Sequence, residues 1–284
     1  MKKGYIYLHF HFLESHLTIN EVMSYKERLD NILVSKGLVK SREMARALIM
    51  EGKVFVDGKK ITKAGTSVRE ISDISLMAAD MPYVSRGGLK LEAAVHFFNI
   101  NVNENIIMDV GSSTGGFTDC LLKRGAKKVY CIDVGYGQLA WSLRKDHRVI
   151  LLERTNIRYL DKIVGDRESK IIGSEFEYLI QKNIDMATID VSFISLTKVI
   201  PQVLTFLKEE GEVLALVKPQ FEVGKGEVGK GGIVREEEKR LKTVRTVQED
   251  SEKIGLKTIG IFRSPLSGQK GNIEFFLYMK RGIV

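Results

Sequence analysis

The sequence predicts an α/β protein in two parts, a small N-terminal α+β module followed by a seven-stranded doubly wound sheet. Between Ile106 and Lys280, seven apolar runs alternate with helical stretches, the pattern of strands joined by crossover helices. Ahead of them, Tyr25 to Ile61 reads as helix, helix and hairpin, and Pro82 marks a boundary where the hydrophobic period changes. The composition agrees: 284 residues, 44% of them apolar and only 4 Pro, suffice for two packed cores and are too apolar for disorder. The expected division is an ill-ordered extension over 1–23, the small module over 24–80 and the α/β domain over 81–284.

Several classes are excluded at once. No apolar run approaches the ~18 residues of a membrane-spanning helix. Cys120 and Cys131 cannot staple a secreted scaffold, and with five scattered His they offer no metal-binding spacing, so no metal is expected. His9 and His11 interrupt the apolar stretch at the N-terminus and no small-residue cleavage site follows, which argues against an export signal and for the reducing cytoplasm. The net charge of +8 suggests a polyanionic partner.

In the front module, Leu29, Ile32 and Leu33 form one helical face that Gly37 ends, and Ser41 can cap a second helix carrying Met44, Leu48 and Ile49. Val54-Phe55-Val56 then leads through Asp57-Gly58 into Lys59-Lys60-Ile61, a strong hairpin signal. From Lys36 to Lys63 there are eight Lys/Arg against three Asp/Glu. Arg42 and Arg46 lie four apart, so both project from one helix face and can reach successive phosphates. Lys40, Lys53, Lys59 and Lys60 complete the basic set. The order of capped basic helix, Gly break and V-x-V-D-G hairpin resembles the αL RNA-binding domain first described in the fourth protein of the small ribosomal subunit. That resemblance implies structured RNA as the ligand, read through backbone and shape.

In the larger domain, strands are expected at Ile106 to Val110, Lys128 to Asp133, Val149 to Leu152, Met186 to Val191, Glu212 to Val217, Thr258 to Phe262 and Ile273 to Lys280, with a long helix over Val234 to Ile254. The first strand runs into Gly111-Ser112-Ser113-Thr114-Gly115-Gly116 and a helix beginning near Phe117. Glycines there allow close backbone approach to a ligand, backed by a helix N-terminus. Asp133, ending the next strand, can accept hydrogen bonds from a ribose diol. A dinucleotide fingerprint would need a glycine where Ser113 stands, and Asp109 would repel a diphosphate but suits a cationic sulfonium. The loop resembles the D-x-G-x-x-x-G-G-F form of the FtsJ-like branch of S-adenosylmethionine-dependent methyltransferases. That resemblance implies a Rossmann-like sheet with Asp109, Gly111, Ser113, Gly115, Gly116, Phe117, Asp133 and, after the third strand, Asn156 around the cofactor.

The acceptor is narrowed by what the chain lacks. Neither cysteine is placed as a nucleophile for cytosine carbon, and Ile189-Asp190-Val191-Ser192-Phe193 has none of the prolines of the loop that serves amine acceptors. Lys90, in SRGGLKLE, is expected to open the helix before the first strand, Asp190 to end the fourth strand, Lys218 the fifth, and Glu274 to start the last. In order and strand position these four match the K-D-K-E tetrad of ribose 2′-O-methyltransferases. A ribose hydroxyl is a poor nucleophile, so an amine must take or orient its proton; Lys218 is the candidate, with Lys90 as like-charge neighbour and phosphate contact and the two carboxylates limiting their repulsion. Arg86 is a further candidate RNA contact, and the glycine-rich Phe221 to Gly232 segment suggests a mobile lid.

From about Tyr25 to the C-terminus, with YVSRGGLKLEAA, DVGSSTGGFTD, IDVSFISL and KPQFEVG in order, the chain resembles the TlyA family of ribosomal RNA methyltransferases. The resemblance implies 2′-O-methylation of cytidine, with S-adenosylmethionine as cofactor and ribosomal RNA or ribosomal subunits as partner. Members also carry the name hemolysin. A membrane-active protein would lyse liposomes, and a non-catalytic assembly factor would hold the cofactor without turnover. Neither is expected with the tetrad intact and no membrane span.

Overall fold

The computed structural model describes residues 26–39, 41–69, 72–76, 82–165, 183–224, 226–229, 231–268 and 271–282. The extension over 1–23 and Lys40 therefore lie outside the described residues. The chain divides into two compact units, Met1–Asp80 and Met81–Val284.

The first unit runs β1 (Lys26–Arg28), α1 (Leu29–Ser35), α2 (Arg42–Met50), β2 (Val54–Val56), β3 (Lys59–Ile61), β4 (Ser67–Arg69) and β5 (Ile74–Leu76). The Ser41 hydroxyl accepts a hydrogen bond from Met44 N (3.2 Å) and caps α2 as its sequence indicated. Asp57 and Gly58 both have positive φ (49° and 73°), the backbone of a tight hairpin turn between β2 and β3. β2 also pairs with β5, and β1 pairs with β4. Leu29, Ile32, Leu33, Ala45, Ile49 and Val54 are fully buried between these elements.

The second unit is built on α3 (Arg86–Phe97), β6 (Ile106–Val110), α4 (Gly116–Lys123), β7 (Lys128–Ile132), α5 (Trp141–Arg144), β8 (Val149–Leu152), α6 (Leu160–Gly165), β9 (Ile184–Ile189), α7 (Ile200–Leu204), β10 (Leu207–Val217), α8 (Pro219–Glu222), α9 (Glu237–Lys253), β11 (Leu256–Arg263) and β12 (Phe275–Arg281). Its seven strands lie in the order β11-β12-β10-β9-β6-β7-β8. β12 is antiparallel to both neighbours, whereas β10, β9, β6, β7 and β8 are mutually parallel. All seven expected strands are present, two with the expected bounds and the other five with an end shifted by up to five residues.

Alternating residues of the strands feed two cores. Met108 and Val110 join Tyr130, Ile132, Ala187 and Val244 on one face. Ile107 joins Leu91, Phe117, Leu121, Val129 and Phe276 on the other. Covering both faces is what allows the central strands to be apolar throughout. The chain leaves β6 toward β7 on one side and returns to β9 on the other, so the crevice above the carboxyl ends of β6 and β9 is a topological switch point, where open α/β sheets place their ligands.

Candidate active site

Gly111 follows β6 at that crevice with φ 86°, and a Cβ there would lie 2.5 Å from the carbonyl oxygen of Asp190. Only glycine lets the turn after β6 pass this close to the end of β9. Asp190 N donates to the Val110 carbonyl (2.9 Å), so the two strand ends are locked side by side. A cavity of about 250 Å³, lined by Ser85, Arg86, Lys90, Phe117 and Gly268, and one of about 950 Å³, lined by Asp133, Asn156, Ile157, Phe193 and Phe221, share Gly111, Ser113 and Asp190.

The four tetrad residues meet here as two ion pairs. Lys218 Nζ lies 2.7 Å from Asp190 Oδ1 and donates to Ser192 Oγ (3.0 Å). Lys90 Nζ lies 2.6 Å from Glu274 Oε2. Both lysine side chains are nearly buried, at 11% and 12% exposure, so little solvent screens either pair. Each ammonium has its own carboxylate, the arrangement expected to limit repulsion between the two lysines. Lys90 also sits in the second turn of α3 and does not open it, while Asp190, Lys218 and Glu274 stand one residue outside their strands. Because β12 is antiparallel, its start lies at the same edge as the ends of β9 and β10, which is how Glu274 reaches the others.

The expected cofactor residues divide. Asp133 lines the larger cavity and accepts from Ser113 N (2.7 Å) and Gly135 N (2.6 Å), leaving carboxylate lone pairs for a diol. Asn156 lines the same cavity while its Oδ1 accepts from Arg158 N (3.1 Å), so it both caps and faces the space. Gly116 and Phe117 line the smaller cavity. Gly115 does not: a Cβ on it would collide with Leu139 and Leu143, so that glycine serves packing. Asp109 is also corrected from a ligand contact to a support. It is fully buried, accepts from Thr118 Oγ1 (2.6 Å) and Thr188 Oγ1 (3.0 Å), and burial pushes its carboxyl up to about 7. The site fits S-adenosylmethionine: the buried Ser112 Oγ on the cavity wall has no hydrogen-bond partner, Asp133 suits a ribose diol, and Ile132 and Ile157 offer apolar walls.

Three features have no counterpart in the sequence expectations. A Cβ on Gly116 would lie 2.2 Å from Ser85 Oγ and 2.9 Å from Gly88 N, so the glycines of SRGG and TGG are there to bring the start of α3 against the start of α4. Phe193, beside the paired Asp190, is 88% exposed and has φ 63°, a strained state for a bulky residue and one found at binding sites. Its ring lies 4.9 Å from that of Phe221. Glu222, partly buried next to Phe221, accepts from Ser195 Oγ and Leu196 N, and desolvation pushes its carboxyl above the usual range.

The basic residues also sort differently from expectation. Arg86 is exposed at the start of α3 on the wall of the smaller cavity. In the first unit, Arg42 and Arg46 converge with Arg28, which no sequence pattern singles out, on the buried carboxylate of Asp30, at 3.3, 3.1 and 2.9 Å. Asp30 is held well below the usual carboxylate range, mainly by the Arg28 hydrogen bond. The three arginines are 47–49% exposed, so about half of each side chain is open to solvent. Lys53 pairs with Glu51 (2.7 Å), Lys59 is exposed on β3, and Lys60 folds over Gly52. Among the described residues, no cluster could hold a metal ion and no helix is long and apolar enough to cross a membrane.

The family description "FtsJ-like methyltransferase" matches residues 83–281, and "S4 domain" matches residues 27–74. The chain is 41% identical over 260 residues to the 16S/23S rRNA (cytidine-2′-O)-methyltransferase TlyA of Mycobacterium tuberculosis, covering 91% of each chain. It is 40% identical over 252 residues to Hemolysin A of Brachyspira hyodysenteriae, covering 88% of this chain and 98% of that one. The solved structure of a "putative hemolysin" from Streptococcus thermophilus superposes with a TM-score of 0.66 at 40% identity, covering 90% of this chain and 89% of the other.

Proposed function

The chain belongs to the FtsJ-like methyltransferase family, in its TlyA-type form with an S4 domain in front, and on that premise we propose that it methylates the ribose 2′-hydroxyl of cytidine in ribosomal RNA. The observation that carries this reading is the pair of lysine–carboxylate contacts gathered at the switch point beside Gly111. Bound S-adenosylmethionine supplies an electrophilic methyl group on a sulfonium.

The chain's own residues prepare the acceptor. Lys218, fixed by Asp190 and Ser192, orients the 2′-hydroxyl; having first ceded a proton to solvent, its neutral amine takes the hydroxyl proton as the methyl leaves sulfur for oxygen and a neutral thioether departs, and Asp190 stays beside the restored ammonium. Lys90, held by Glu274 next to the exposed Arg86, offers a fixed positive charge to the phosphate of the same nucleotide. The exposed ring of Phe193 gives the target base a stacking surface once the nucleotide leaves its own stack. Asp133 and Asn156 hold the adenosine end of the donor, so that methyl and acceptor meet in line. In the first unit, Arg28, Arg42 and Arg46 with Lys59 grip RNA backbone and add affinity without reading sequence.

The test is a map of 2′-O-methyl groups across ribosomal RNA from cells with and without the protein. The expected difference is one or more cytidines methylated only when it is present. Identical maps would overturn the reading.

A further inference from the structure

We propose that Glu222 is a positioning residue for methyl transfer, clamping the turn that carries Phe193 so that the target nucleotide is set against Lys218. This role rests on the active-site reading proposed for Lys218 and Phe193.

Two turns face each other there, Asp190–Leu196 after β9 and Lys218–Glu222 after β10. Lys218 ties them at the near end through Asp190 and Ser192. Glu222 ties them at the far end: its Oε2 accepts from Ser195 Oγ (2.7 Å) and its Oε1 from Leu196 N (2.9 Å), the first amide of the short 3₁₀ turn Leu196–Lys198. Phe193 and Phe221 touch between the two ends, rings tilted at 49°.

Phe193 needs such a brace. Its left-handed backbone is unfavourable for a bulky side chain, and its almost fully exposed ring has little packing to hold it. What fixes its place is the chain on either side, held by Lys218 before it and by Glu222 after it. Glu222 itself is a partly buried carboxylate with no ion pair among the described residues. Desolvating a carboxylate without a cation costs stability, so its presence at this position points to work done on the turn. A displacement of about 1 Å at a reacting centre can cost roughly 100-fold in rate.

The experiment measures single-turnover methyl transfer and S-adenosylmethionine affinity in the full chain. Glu222→Ala should lower the rate at saturating RNA by roughly 10- to 100-fold while cofactor affinity stays within about twofold, since Asp133 and Asn156, proposed to hold the adenosine end, follow β7 and β8 and do not belong to the clamped turns. Glu222→Gln should restore most of the rate, because an amide can accept from Leu196 N while donating to Ser195 Oγ. In a Phe193→Ala background, Glu222→Ala should add less than about a twofold loss, since both substitutions remove the same placement. The idea is overturned if Glu222→Ala turns over like the wild type, if its loss multiplies fully with that of Phe193→Ala, or if Glu222→Gln is as slow as Glu222→Ala. Should Glu222→Ala not fold, Glu222→Asp replaces it: one methylene shorter, it cannot reach both partners, and an undiminished rate would overturn the clamp. If Phe193→Ala and Lys218→Ala themselves keep full turnover, the active-site reading fails; if they lose it and Glu222→Ala does not, only the role of Glu222 fails.

Discussion

Two regions of the chain set basic side chains against carboxylates in different proportions. At the switch point the ratio is one to one, Lys218 with Asp190 and Lys90 with Glu274. In the first unit it is three to one, with Arg28, Arg42 and Arg46 sharing Asp30. Paired charge in a nearly dry crevice can hold an amine still and let a proton move without leaving a net charge behind. Surplus charge on half-exposed guanidiniums attracts phosphate, while the single carboxylate fixes the fork geometry of the arginines beforehand. On the proposed function, the number of carboxylates per cation separates chemistry from grip in these two regions.

The sharpest way to break this contrast is Lys218→Ala. Turnover should fall by roughly 10²- to 10⁴-fold, with S-adenosylmethionine affinity by calorimetry unchanged and the salt dependence of RNA binding intact. A variant that merely binds RNA more weakly would move Lys218 into the gripping class. The reciprocal change, Arg42→Ala with Arg46→Ala, should leave turnover at saturating RNA near the wild-type rate. It should flatten the plot of log affinity against log salt by roughly 1.4, about 0.7 for each single-strand phosphate that is no longer neutralised.

Smaller effects sharpen the picture. Asp30→Asn should destabilise the first unit by about 1–3 kcal/mol at pH 7, because charge-assisted hydrogen bonds disappear, read from hydrogen exchange of α1 and α2 amides. The sign of the pH dependence follows from the lowered folded-state pKa of Asp30. Its stabilisation is present above the ordinary carboxylate value near 4 and is lost as pH falls through the folded value, so the acid sensitivity of these amides should be weaker in the variant. Asp109 runs the other way. Burial raises it to about 7, so the protonated form favours folding at low pH and that contribution disappears as pH rises from about 4 to 7. Melting temperature should decline over that range in the wild type and less so in Asp109→Asn.

Where a side chain's role follows from strand order, the sequence was legible. Apolar runs marked all seven strands, and the antiparallel last strand is what turns Glu274 toward Lys90. The ends were less legible: β10 extends back through Lys208, Glu209 and Glu210, exposed residues that carry no apolar signal. Asp30 looks in sequence like any acidic residue in a first helical turn, and only tertiary packing makes it the hub for arginines up to 16 residues away. Phe193 has no sequence mark for its left-handed backbone, which in most loops would be given to glycine or asparagine. Gly115 and Gly116 read as space for a ligand, whereas much of what they make room for is protein: Leu139 and Leu143 in one case, the start of α3 in the other.

The most direct measurement uses ribosomal subunits, the purified chain and S-adenosylmethionine labelled on the transferable methyl, followed by alkaline hydrolysis of the RNA. A methyl on the 2′-oxygen blocks cleavage at that linkage, so the expected result is label in alkali-resistant dinucleotides, abolished by Lys218→Ala. Label recovered in mononucleotides would place the methyl on a base and contradict the assignment of the two lysine–carboxylate pairs to ribose chemistry.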